Sequence, residues 1–220
     1  MMLLSEWLQE PIGFWGPTYR AVGQLTERKQ RLLACACCSS LRCPNIAEEI
    51  DEVVRGVYTY LESGLSKAAM TRRRKRLQAQ QIPNVRAESI AQYHLTKTLI
   101  HTISFNTDTI PHLAMTLPSA STYLSIQDGV HVREAKIRFY PLYADIAGSV
   151  ASFPGDWRTT TSVQLARGMY ESQDFSAMPI LGDALQDAGC DNDEVLNHCR
   201  DPQGIHVRGC WVVDLVLSKS

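Results

Sequence analysis

The 220-residue sequence has no apolar run that approaches a membrane span. The longest obvious one, "LLACACC" at residues 32–38, is far shorter than the ~20 residues that a bilayer-crossing helix needs. No membrane association is therefore expected. The opening "MMLLSEWLQE" carries acidic residues and lacks the cationic start and apolar centre of an export signal, so a cytoplasmic location is expected. An excess of one charge is also missing. The 22 Lys and Arg nearly balance the 23 Asp and Glu, which argues against a surface built wholly for nucleic acid. There is no G-x-S-x-G elbow, no phosphate-cradling glycine loop and no H-E-x-x-H, and no serine or cysteine stands in a recognisable nucleophile setting. A non-enzymatic protein is the expectation.

What is present is an ordinary globular balance, 45% hydrophobic and 20% charged, with enough chain for one large or two small domains. Seven cysteines, an odd number, are expected to stay reduced in such a compartment. The charge is uneven along the chain. Residues 1–80 hold twelve Lys and Arg against eight Asp and Glu, whereas residues 174–220 hold three against eight, a split that serves either partners or the meeting of two parts of one molecule.

The hydrophobic period is helical nearly throughout. Thr26 precedes "ERKQRLLACACCSSLR" as an N-cap, with Leu33, Ala36, Cys37 and Leu41 on one face. Asn45 and Glu48 form a capping-box pair ahead of a stripe of Ile50, Val53, Val54, Val57, Tyr58 and Leu61, and Gly64 ends it. Residues 66–81 read as a third helix or an arm that stops by Pro83, and residues 86–105 are helical in pattern. A Pro- and Ser-punctuated stretch follows, and then a period through Val132, Ala135, Phe139, Leu142 and Ile146, with a kink expected at Pro141. Thr159, Thr160 or Thr161 caps "SVQLARGMYES"; Leu181, Ala184, Leu185 and Ala188 make a short helix closed by Gly189; Asp191 with Glu194 caps "EVLNHC". The end, "CWVVDLVLSK", fits a helix or a strand, and a helix is favoured because nothing nearby offers a sheet. The expected fold is all-α, an irregular bundle of about seven to nine helices. We expect a single domain over 1–220, with a sub-boundary in the region 106–130.

Two blocks stand out: "EWL" at 6–8 with "ERKQRLLACACC" at 27–38, and a C-terminal block over 155–219 that runs from "GDWRTTTSVQLARGMYES" through "LGDALQDAGCDNDEVLNHC" to "HVRGCWVVDLVLSK". Together they resemble the signature of a large paralogous family of uncharacterised bacterial proteins, mainly from planctomycetes. The resemblance covers about half the chain and implies no reaction, substrate or cofactor. Such relatives often carry two arginines after the cysteines, where this chain has Ser39 and Ser40.

Four features carry candidate chemistry. Residues 190–211, "CDNDEVLNHCRDPQGIHVRGCW", hold three cysteines and two histidines, and Cys190, His198, Cys199, His206 and Cys210 are candidate zinc ligands. Only the His206–Cys210 spacing resembles a ligand pair, and adjacent His198 and Cys199 point about 100° apart on a helix, so both rarely meet one ion. Set against zinc, Cys190 and Cys199 suit a small-hydrophobe role in a core. Cys35, Cys37 and Cys38 of "CACC", with Cys43, fit close helix packing better than redox chemistry. Second, Arg72, Arg73, Arg74, Lys75 and Arg76 are five consecutive cations that suit phosphate, although no interleaved aromatics offer base stacking. Third, the loops "PGDW" and "DPQGIHVRGCW" suggest a partner-binding surface with Trp157, His206, Arg208 and Trp211 as its anchors. Fourth, His94 and His101 share a helix face and would do acid–base work with a carboxylate, while Asp183 and Asp187 share another without any calcium-loop pattern. The leading expectation is a protein-interaction or adaptor module whose partner is another protein. The alternatives are a nucleic-acid-associated protein using 72–76 and a zinc-binding protein.

Overall fold

The computed structural model describes residues 21–40, 47–63, 66, 68–72, 75, 132–148, 150 and 152–219. Every regular element among them is helical, and no strand occurs among the described residues, as the hydrophobic period predicts. The expectations at Asn45, Gly64, Arg73, Arg74, Arg76, His94 and His101, and the helix over 86–105, lie outside the described residues. The chain divides into two compact units, one running through Tyr140 and the other Pro141–Ser220.

In the first unit, α1 (Glu27–Ser40) packs on α2 (Ala47–Ser63). Thr26 caps α1 as expected, its Oγ1 accepting the Lys29 amide at 3.3 Å. The burial of α1 is wider than the one face read from its spacing, since every residue from Gln30 to Cys38 is buried. A helix that is covered on several sides keeps small residues all round, which accounts for the cysteines and alanines. Burial and the neighbouring Cys38 and Cys35 push the Cys37 thiol up, the opposite of what a reactive thiol needs. Arg31 is buried with them, held by the Glu27 carboxylate at 2.7 Å. The α2 stripe is as predicted from Ile50 through Tyr58, with Leu61 half-buried at its end.

The second unit carries the site. It begins in α3 (Val132–Ala147), within which Pro141 lies, and continues through a 3-10 turn (Gly155–Trp157), α4 (Thr160–Ser172), α5 (Met178–Asp187), α6 (Asp193–Arg200) and α7 (Trp211–Val216). Thr159 is the residue that caps α4, taking the Ser162 amide on its side chain at 3.2 Å. Asn192, not Asp191, caps α6, with its Oδ1 on the Val195 amide at 3.1 Å. Gly189 closes α5 with φ of 88°, a left-handed turn that glycine adopts without strain. That turn folds Cys190 back under the helix, where it is buried and its amide reaches the Leu185 carbonyl at 2.9 Å. The terminal segment resolves as helix, with Trp211, Val212, Val213 and Val216 all buried.

The core of this unit joins Ala166, Met169 and Tyr170 of α4, Leu181 and Leu185 of α5, Val195, Leu196 and Cys199 of α6, and the buried face of α7. The approach of α5 to α6 is close enough that a Cβ added at Gly182 would stand 3.0 Å from the Cys199 Cβ. On the outside Arg200 of α6 reaches Asp183 and Gln186 of α5 at 2.6 Å each, so Asp183 is an exposed ion-pair partner and not part of a cation site.

A candidate metal centre of two histidines, a cysteine and an aspartate

Three of the candidate ligands meet a fourth residue that their own stretch does not contain. Asp145 of α3, His198 of α6, His206 of the loop after it and Cys210 at the start of α7 place one donor atom each so that all four lie within 4.8 Å of one another. Asp145 Oδ1 stands 2.9 Å from His206 Nδ1 and 3.1 Å from His198 Nε2. Cys210 Sγ stands 3.2 Å from the same His198 Nε2 and 3.9 Å from the same His206 Nδ1. Each imidazole therefore aims a single ring nitrogen at a common centre.

Local structure explains the convergence. His206 and Cys210 flank a turn in which the Cys210 amide bonds the Val207 carbonyl at 2.9 Å, and Gly209 at its third position has φ of 102°. A positive φ there is what a type II turn requires, and glycine supplies it. The turn is tied to α3 by the Val207 amide, which donates to Asp145 Oδ2 at 2.9 Å. One carboxylate oxygen is thus occupied by backbone, and the other faces the two imidazoles. Arg208, within the same turn, bonds the Tyr170 carbonyl through Nε at 3.1 Å and Nη2 at 2.8 Å and lies 4.4 Å over the Tyr170 ring, which fastens the turn to the end of α4.

The cluster is largely buried. Asp145 and Cys210 are buried, and the His198 side chain, at 20% exposure, is the most open of the four. Burial pushes the Asp145 carboxyl up, but hydrogen bonding and electrostatic attraction from His198 and His206 outweigh it and hold its pKa below the ordinary value. Burial and the adjacent Asp145 carboxylate push the Cys210 thiol well up, against a smaller pull from the Val213 and Val212 amides.

These facts discriminate between two chemistries. A Cys-His-Asp relay needs the thiol and the carboxylate on opposite ring nitrogens, so that a proton passes through the imidazole. Here both sit at His198 Nε2, and the thiol is fully buried, so Cys210 is not arranged as a nucleophile. Convergent single nitrogens, one carboxylate oxygen not taken by backbone and one sulfur are the donor set of a borderline metal ion. Tetrahedral donors around zinc stand roughly 3.3–3.6 Å apart, so small movements of this cluster make room for an ion. Zinc with one carboxylate, one thiolate and two neutral imidazoles forms a neutral unit, which is what a buried site favours.

Of the five residues that the sequence singles out as ligands, the cluster takes in His198, His206 and Cys210. It leaves out Cys190 and Cys199, which belong to the apolar core; Cys199 lies against α5 while its neighbour His198 faces the cluster, as their angular separation on a helix demands. Desolvation raises the Cys199 thiol pKa to about 12. The partner-surface reading of the loop aromatics is corrected by their burial. Trp157 is in the core with its ring edge-on to Phe153 at 5.2 Å, Trp211 is in the core beside His198, and Arg208 is spent on Tyr170. Large aromatic surface is worth more inside than out, so "PGDW" places its tryptophan inward. Of the basic run, Arg72 and Lys75 are exposed.

The residue that sequence reasoning missed is Asp145. Its signal is a lone acidic side chain set among Leu142, Tyr143 and Ile146, all of which are buried. A carboxylate on such a face demands partners, and nothing in the local sequence supplies them. No helix among the described residues is long and apolar enough to cross a membrane. Comparison with protein-family models, with curated proteins and with solved structures gave no match.

Proposed function

We propose that the second unit is a zinc-binding module in which Asp145, His198, His206 and Cys210 hold one ion as a closed, structural site. The observation that carries the reading is the aim of one nitrogen from each imidazole at the same oxygen of a buried carboxylate, with a buried sulfur completing the set. Four protein donors with little solvent access are the mark of a structural site and not a catalytic one, which keeps a position open. The ion would tie the end of α3 to α6 and α7 across more than fifty residues of sequence. Binding would release the Cys210 proton, since the metal takes the thiolate.

The use we assign to the module is contact with another protein. Loop residues 201–205, bracketed by the ligands His198 and His206, are all exposed, and Ile205 at 47% exposure stands next to a ligand. Membership of the bacterial family belongs to the same proposal, and it rests on a C-terminal block that contains three of the four ligands.

The test is elemental analysis and zinc titration of the full chain, purified under reducing conditions without affinity nickel. One equivalent of zinc, lost in Cys210→Ser and in His206→Ala, is the expected result. A chain without metal whose folding ignores chelator would remove the reading.

A further inference from the structure

Resting on that reading, we infer that Gly148 and Trp211 are positioning residues for the ion: the missing side chain at Gly148 seats the Trp211 indole, and the indole holds the His198 ring on the metal. Trp211 directly follows the ligand Cys210, and its ring lies 5.0 Å from His198, inclined at 49°. On the other side it meets the end of α3. A Cβ built at Gly148 would stand 2.8 Å from Cγ of the indole and closer still to its Cδ1 and Nε1, nearer than real Cβ atoms approach. Gly148 is itself buried, and Trp211 is 5% exposed, so neither has an open side to move toward. The His206 ring stands edge-on to His198 at 4.9 Å and closes another side. His198 is the most exposed of the four donors and therefore the one whose direction depends most on such a wall. Gly148 lies three residues beyond the ligand Asp145, so one helix end supplies both a donor and the seat for the residue that orients another. Supporting residues of this kind typically govern metal affinity by 10–100-fold without touching the ion.

The experiment is cobalt(II) titration of the full chain, read by the visible d–d bands of a tetrahedral site and by quenching of tryptophan emission. Wild-type protein is expected to bind one cobalt with intense bands. Gly148→Ala should weaken binding at least about tenfold and dull the bands, because the displaced indole turns His198 away. The double variant Gly148→Ala with Trp211→Phe should recover most of the affinity, since the smaller ring accommodates the methyl group. Trp211→Leu alone, the check in case Gly148→Ala does not fold, should bind several-fold more weakly with the alanine clash absent. Gly148→Ala that binds as wild type does, a loss that Trp211→Phe leaves unrescued, or a folded Trp211→Leu with unchanged affinity and bands overturns the positioning role while the metal site stands. Wild-type protein that takes up no cobalt or zinc overturns both.

Discussion

Asp145→Asn separates a metal centre from a hydrogen-bonded cluster of the same residues. The carboxylate receives two imidazole nitrogens on Oδ1, at 2.9 and 3.1 Å, and the Val207 amide on Oδ2 at 2.9 Å. Asparagine has the same shape and one acceptor. With its oxygen toward the imidazoles, its NH2 group meets the Val207 amide; turned over, the NH2 group meets both imidazoles. The first leaves the Val207 amide without its acceptor and the second forces both imidazoles to change from donor to acceptor, at a cost of about 1–3 kcal/mol, and the bonds that survive fall from charge-assisted to neutral strength. The sum, about 3–5 kcal/mol, matches the usual loss when one member of a buried charged set is removed. At a slope near 2 kcal/mol per molar urea, the midpoint in chelator should fall by about 1.5–2.5 M. Zinc adds a second difference. With free zinc a thousandfold above its dissociation constant, wild-type protein gains about 4 kcal/mol; a hundredfold weaker Asn site gains about 1.4, so the gap between the proteins widens by about 2.7 kcal/mol. The assay is urea denaturation of both full-length proteins, with chelator and with zinc. Equal midpoints in chelator would refute the role of Asp145 in holding the turn. A gap that zinc does not widen would refute the ion and leave a hydrogen-bonded cluster.

Further outcomes follow from neighbouring contacts. Arg208→Ala leaves the Tyr170 carbonyl without its two guanidinium bonds and should cost about 2 kcal/mol, whereas Arg208→Lys should restore only part of it, measured by the same denaturation. Gly182→Ala forces α5 from α6 at the Cys199 Cβ and should destabilise by about 1–3 kcal/mol, with zinc stoichiometry unchanged. The Cys199 thiol has its pKa raised from 9.0 to about 12, so the unfolded chain loses that proton first as pH rises. Its contribution is intact below pH 9 and declines between 9 and 12; Cys199→Ala should flatten that part of an alkaline stability profile, and an unaltered profile would contradict the assignment.

Among the described residues most of the helical plan is legible in the sequence because caps and periods are local. Thr26 and Gly189 act where a reader places them, and Thr159 is one of the three threonines offered as a cap, since a hydroxyl three residues from an amide, or a glycine at a left-handed turn, depends on its neighbours alone. The Asp191 cap falls one residue short because Asn192 offers the same acceptor in better register. Exposure is less legible: Trp157 and Trp211 sit in loop-like sequence, yet the core takes both. The candidate site is legible in three donors of four, and its false members, Cys190 and Cys199, are cysteines whose faces are apolar.

The sequence by itself determined that the described residues are helical, most of their stops and starts, and two histidines and a cysteine of the candidate metal centre. These follow from interactions that span a few residues. Only the tertiary structure decided that Asp145, more than fifty residues before His198, joins these three side chains, and that the space a Cβ would take at Gly148 receives the ring of Trp211. Such partners are joined by packing of distant helices, where burial must be paired with a charge and a void with a ring, and no spacing along the chain records which residues meet.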